Sequence, residues 1–150
     1  MRAVVQRVKQ ASVRVHAEQI AAIGSGALVL LGVGKNDSED DAQYLAEKIT
    51  GLRIFPDEHA DMNLALSEVS DHAVLVVSQF TLFGDCRKGR RPSFTNAASP
   101  ERAEELYYSF IQALQAMGVR VACGRFRSMM EVSLVNDGPV TILLDSEKEF

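Results

Sequence analysis

The sequence predicts the α/β (α+β) class, with two helices packed against a mixed β-sheet as a sandwich. Three observations carry that prediction. Short runs of alternating or continuous apolar residues recur along the chain, as half-buried and fully buried strands require. Two other stretches place apolar residues at helical spacing: Ala42, Leu45, Ala46, Ile49 and Leu52, then Ala103, Leu106, Tyr107, Phe110, Ile111, Leu114 and Met117. The order is strands, helix, strands, helix, strands, without the regular βαβ alternation or glycine-rich first turn of a dinucleotide-binding fold. The glycines of "GSGALVLLG" lead into a strand and not a helix, so no phosphate cradle is expected there.

Taken in order, "AVVQRV" and "SVRVHA" alternate as half-buried strands do, and "AEQI" is read as the hairpin turn before "IAAIG". "ALVLLGV", residues 27–33, is apolar throughout and predicts a strand covered on both faces. Ser38 with Asp41 three residues on forms a capping box opening the first helix, with aspartate in place of glutamate. "LRIF" predicts a short strand stopped by Pro56, and "PDEHADMN" a polar loop. "AVLVVSQFTL", residues 73–82, is the strongest strand signal, turning abruptly polar at Ser78 and Gln79. Ser99-Pro100 supplies an N-cap and an N1 proline for the second helix, with Gly118 at its C′ position. "VRVACGRF", "MEVSLV" and "VTILLD" close the chain as strands. Between the last two, "VNDGPVT" has the Asn-Asp-Gly of a hairpin turn. Pro139 follows at once, removing a backbone donor and offering a bond that can be cis at modest cost.

A chain of 150 residues with 47% hydrophobic and 24% charged residues has the size and composition of one ordinary globular domain, so 1–150 is read as one domain. No apolar run approaches a membrane span, and "MRAVVQRVKQ" reads as a strand with no signal or transit peptide, which predicts a cytoplasmic protein. Cys86 and Cys123 stand in no motif and are read as free thiols. His16, His59 and His72 lack metal-ligand spacing, so neither metal nor cofactor is expected. The net charge of −4 argues against a general nucleic-acid coat while allowing a local basic contact.

Three stretches can carry chemistry. In "SQFTLFGD", residues 78–85, a buried strand ends in hydroxyls and an amide, a common place for ligands in α/β folds. Ser78 or Thr81 could act as a nucleophile, but no base lies nearby in sequence; the plainer reading is a strand end satisfying its own backbone. "CRKGRRPSF" gathers Arg87, Lys88, Arg90 and Arg91 with Phe94, which suits a phosphate backbone and a stacked base. It equally suits a solvated loop. In "GRFRSMM", Arg125 and Arg127 alternate with Phe126, and Met129 and Met130 follow, as at a sheet edge with snorkelling arginines.

Together these stretches resemble the D-aminoacyl-tRNA deacylase family, first described on D-tyrosyl-tRNA. "SQFTLFGD" and "NDGPVT" are similar to its two signature motifs, and the likeness runs from Met1 to about Asp145. Cys86 stands where threonine is common, and Arg127-Ser128 where smaller residues often occur. The resemblance implies the family's barrel-like sandwich, a homodimer, and hydrolysis of the ester between a D-amino acid and the terminal ribose of tRNA. It implies neither a membrane nor a DNA partner. It also implies a cis Gly138-Pro139 bond whose carbonyls enter the partner's active site and exclude L-amino acids through their Cβ. Glycine, having no Cβ, would pass, so glycyl-tRNA should be cleaved too. Backbone N–H groups of Phe80 and Thr81 would polarise the ester, Ser78 and Gln79 would hold the terminal nucleotide, and Phe126 and Met130 would line the pocket. Arg7 would brace the partner's corner, and Arg87, Lys88, Arg90 and Arg91 would meet the tRNA. The catalytic group is either Thr81 or the substrate's own 2′-hydroxyl. Two readings remain beside this one: a non-catalytic dimer binding tRNA acceptor ends, and a Thr- or Ser-dependent hydrolase of small esters.

Overall fold

A computed structural model describes residues 1–150. The chain opens with a long strand, β1 (Arg2–Val15), followed by β2 (Glu18–Ile23) and β3 (Gly26–Gly32). The first turn is not "AEQI". It is His16-Ala17, both at positive φ (51° and 66°), a two-residue hairpin built without the usual Asn or Gly. Helix α1 (Glu39–Thr50) is closed at its start by the Ser38/Asp41 capping box. Desolvation opposes charge on Asp41, but hydrogen bonds from Ser146 and Ser38 outweigh it and hold its pKa below the ordinary value.

β4 (Phe55–Pro56) and β5 (Met62–Leu64) form a two-residue ladder apart from the main sheet. "LRIF" is therefore not a strand along its length, and Pro56 sits within the ladder where it was expected to stop one. β6 (Ala73–Ser78) runs into a 3₁₀ turn (Phe80–Phe83), then come α2 (Pro100–Ala116), β7 (Arg120–Cys123) and β8 (Glu131–Asp145). Ser99 caps α2 by accepting from the Arg102 N–H.

The sheet runs β2-β1-β3-β6-β7, with β8 also paired to β1. β3 to β6 and β6 to β7 are parallel, so α1 and α2 are crossover helices. Two βαβ units are thus present, which the uneven spacing of the strands hid. The helices cover one face of the sheet, where Val5, Val29, Val76, Leu45 and Phe110 share a core; Val13, Leu28, Leu75 and Val77 form a second core on the other face. β3 and β6 supply both, which explains their unbroken apolar runs. Fully burying a Leu or Phe here contributes about 2–3 kcal/mol.

β8 is one strand, and both of its halves pair antiparallel with β1. The chain does not reverse at "VNDGPVT", as a hairpin would require. Instead the register passes from Val8↔Asn136 to Gln6↔Thr141, leaving residues 137–140 bulged against Arg7 alone. β1 carries its own extra residue at Lys9. Because side chains alternate with a period of two, such insertions swap the faces of a strand. Ala3 and Val5 therefore enter the first core while Ala11 and Val13, of the same parity, enter the second. β8 does likewise, Val132 and Leu134 packing on the second core and Ile142 and Leu144 on the first. This double exchange curls the sheet toward a barrel. No helix is long and apolar enough to cross a membrane.

Candidate active site

Ligands in open α/β sheets gather at the carboxyl ends of parallel strands, and here that end holds a cavity of about 660 Å³. Leu31 and Val33 from β3 and its exit, Val77 and Ser78 from β6, and the first turn of α2 at Pro100 and Ala103 form its walls. β6 stops at Ser78, earlier than its apolar run suggested, and the chain tightens into the 3₁₀ turn. Gly32 permits this, because a Cβ there would meet Gln79 O and Leu82 Cβ at 3.0 Å. A side chain on β3 would push the turn off the sheet.

The turn carries Gln79, Phe80 and Thr81 along the cavity lip. Leu82 N–H donates to Gln79 O (3.2 Å) and Gly84 N–H to Thr81 O (2.9 Å). The N–H groups of Phe80 and Thr81 have no acceptor within the chain. They are the first two residues of the 3₁₀ turn, whose own i→i+3 bonds begin at the N–H of Leu82. Gln79 Nε2 donates to Thr81 Oγ1. No histidine, lysine, cysteine or carboxylate lines the cavity, so Thr81 has no base. At the back wall the Tyr107 hydroxyl donates to Val76 O at 2.9 Å. Burial pushes that phenol well above its usual pKa, so it serves as a neutral donor.

The structure brings Ser78, Gln79, Phe80, Thr81, Phe126 and Met130 together around this space, although 45 or more positions separate the first group from the last two. Phe94 stands edge-on to Phe80, ring centroids 5.0 Å apart, which ties the end of the basic loop to the lip. Within that loop Arg87 is distinct. Its guanidinium grips both oxygens of Asp85 (2.9 and 2.7 Å), chiefly through these side-chain hydrogen bonds holding the Asp85 carboxyl down at about 2. Lys88, Arg90 and Arg91 are exposed and make no ion pair within the chain.

Arg7, Gly138 and Pro139 do not line the cavity of their own chain. Within its own chain Arg7 braces the corner of β8: Nε donates to Asp137 O and pairs with Asp137 Oδ2 (both 3.2 Å), and Nη1 donates to Ile54 O. Asn136 Nδ2 donates to Val140 O at 3.1 Å and to Arg7 O, closing the bulge from below. Gly138 has φ +121°, a conformation only glycine adopts readily. The Gly138-Pro139 bond is cis and both residues are exposed.

Sequence reasoning missed Tyr107 and the α2 first turn as cavity walls, because helical periodicity marks a buried face without showing that part of it borders empty space. Arg127 and Ser128, which stand where smaller residues often occur in the family, both join the lining beside Met130.

These features can be set beside known proteins. A family model described as D-Tyr-tRNA(Tyr) deacylase matches residues 4–145. The chain is 62% identical over 150 residues to a D-aminoacyl-tRNA deacylase of Koribacter versatilis and 60% identical to one of Syntrophobacter fumaroxidans, with complete coverage on both sides. Among solved structures, one of "c-Myc DNA Unwinding Element Binding Protein" superposes with a TM-score of 0.90 at 42% identity, covering 97% of this chain and 98% of that one. Another, of "a probable eukaryotic D-amino acid tRNA deacylase", gives a TM-score of 0.83 at 18% identity over 95% and 97% of the two chains, a likeness of fold. The chain belongs to the D-Tyr-tRNA(Tyr) deacylase family.

Proposed function

We propose that this chain is an ester hydrolase that releases D-amino acids from D-aminoacyl-tRNA. The observation that carries the chemistry is the pair of unengaged N–H groups, Phe80 and Thr81, on the lip of a cavity with no side-chain acid or base. An aminoacyl ester is already activated. Water adds to its carbonyl carbon, the two N–H groups receive the developing oxyanion, and the carbonyl–oxygen bond breaks as the ribose oxygen takes up a proton. With no base on the protein, the neighbouring ribose 2′-hydroxyl orients the water. Thr81 is a poor nucleophile here, since its oxygen is engaged by Gln79 and nothing removes its proton. That disfavours a small-ester hydrolase working through Thr81.

The whole of 1–150 acts as one domain, working in the cytoplasm as a homodimer. Exposure of Gly138 and Pro139, and of the apolar Val135 and Leu143 on the same strand (44% and 58%), supports donation of this corner to a neighbouring cavity. There its carbonyls would clash with the Cβ of an L-residue, while a D-residue points its side chain outward. Lys88, Arg90 and Arg91 meet the tRNA backbone, and Arg87 shapes their loop.

Incubation with D-tyrosyl-, L-tyrosyl- and glycyl-tRNA tests this directly. The first and third should lose their amino acid and the second should not. Thr81→Ala should keep near-normal turnover, whereas a 2′-deoxy terminal ribose should abolish it. Equal release from both tyrosyl enantiomers would overturn the proposed selection, and collapse of Thr81→Ala with intact binding would return catalysis to the hydroxyl.

A further inference from the structure

Phe126 to Met130 line the cavity, and the exposed Arg127 and Met129 place this turn, closed by a Ser128 N–H to Arg125 O hydrogen bond (3.2 Å), at the cavity mouth. Its tip, Arg127, has φ +60°. A residue with a Cβ is disfavoured there and glycine would be comfortable. An arginine therefore stands where it costs stability. It is also the one formally charged residue among those lining the cavity, which is otherwise apolar or neutral. Of the arginines, Arg2, Arg7, Arg87 and Arg102 have a carboxylate at ion-pairing distance. The others, Arg127 among them, do not, and Arg127 differs from those in lining the cavity.

We propose that Arg127 binds the phosphodiester immediately 5′ of the terminal nucleoside of the tRNA, an inference that rests on the function proposed above. A nucleoside seated in the apolar cavity must leave through its mouth as an anionic strand. A guanidinium at that mouth is matched to a phosphate in charge and in the planar fork of its donors. Arg127 is thus a specificity-determining residue. It favours an ester carried on an oligonucleotide over the same ester on a free nucleoside.

Arg127→Gly and Arg127→Lys, compared with the unaltered protein, test this. On D-tyrosyl-tRNA, Arg127→Gly should raise KM about tenfold, the loss of one charged hydrogen-bonded contact, with kcat within twofold. The slope of log affinity for uncharged tRNA against log salt should fall by about 0.7, one phosphate of a single strand. On D-tyrosyl-adenosine, which has no phosphodiester, KM should not move. The thermal midpoint of Arg127→Gly should equal or exceed that of the unaltered protein, so weaker binding cannot be assigned to misfolding. Arg127→Lys should recover part of the KM, as a point charge without the fork. An unchanged KM and salt slope, or an equal rise on D-tyrosyl-adenosine, would overturn the role of Arg127. Unaltered protein that binds tRNA but releases no D-tyrosine would instead overturn the proposed function, and the binding slope would still decide the role of Arg127.

Discussion

The cavity lip and the bulge of β8 are both irregular backbone, and they are finished in opposite ways. At the lip, the 3₁₀ turn leaves two N–H groups without acceptors and a threonine hydroxyl held by one amide. At the bulge, Asp137 O, Asp137 Oδ2, Val140 O and the Arg7 and Asn136 side chains are bound to one another. Open donors suit a surface that stabilises charge appearing during a reaction. A bulge anchored on both sides of its exposed corner suits a surface whose shape must not yield. The contrast teaches that irregular backbone can be left open or tied down, and it is consistent with the proposed roles, the lip binding and the corner excluding.

The sharpest way to break this comparison is to remove the open donor alone. Replacing Thr81 by its α-hydroxy analogue turns its N–H into an ester oxygen. Turnover of D-tyrosyl-tRNA should fall about 10²–10³-fold, with the thermal midpoint unchanged, because that donor has no partner in the fold. The same replacement at Leu82, whose N–H is bonded to Gln79 O, should cost about 1 kcal/mol of stability. If the two positions behaved alike, the lip would be ordinary turn backbone.

Next in size, Arg7→Ala removes the clamp from the bulge. Arg7 is largely buried and Asp137 about one-third exposed, so loss of the pair and of two carbonyl contacts should destabilise the protein by about 2 kcal/mol in urea unfolding. Release of D-tyrosine should survive better than the bias against L-tyrosine. Retention of full stability and full bias would mean that the bulge holds its shape without this arginine.

The smallest effect belongs to the basic loop, which is neither open like the lip nor clamped like the bulge. Arg87→Ala should let the Asp85 carboxyl rise from about 2 part of the way toward the ordinary value of about 3.9, read by NMR titration. The Arg87 backbone N–H also donates to Asp85 and remains. Because the folded value is depressed, the contribution of this pair to stability is present above the ordinary carboxylate pKa and fades as pH falls toward 2. Asp85 sits on an exposed loop, so global unfolding should scarcely register the change.

Much of the fold could be read along the chain because its causes are local. The capping box at Ser38 and Asp41, the Ser99-Pro100 start of α2, and the apolar runs of β3 and β6 depend on neighbours within a few residues, and each stands where its pattern placed it except the end of β6, which comes at Ser78. The candidate site was partly legible for a different reason. Ser78 to Thr81 mark the point where a buried strand meets polar side chains, and the likeness of two motifs tied them to "NDGPVT".

What the residues could not decide by themselves was pairing. "VNDGPVT" has the composition of a hairpin turn, and only the partner strand makes it a bulge, because β1 continues past it and takes both halves of β8. The same holds for Arg7, whose bracing target is set by register, and for Tyr107 and Arg127, drawn to one cavity from a helix and a loop. The sequence determined which long segments would be strand or helix and where both main helices would begin, through propensity, capping and apolar period. The tertiary structure decided which backbone groups were left without partners, since a hydrogen bond is missing only when every strand that could supply it has been placed elsewhere.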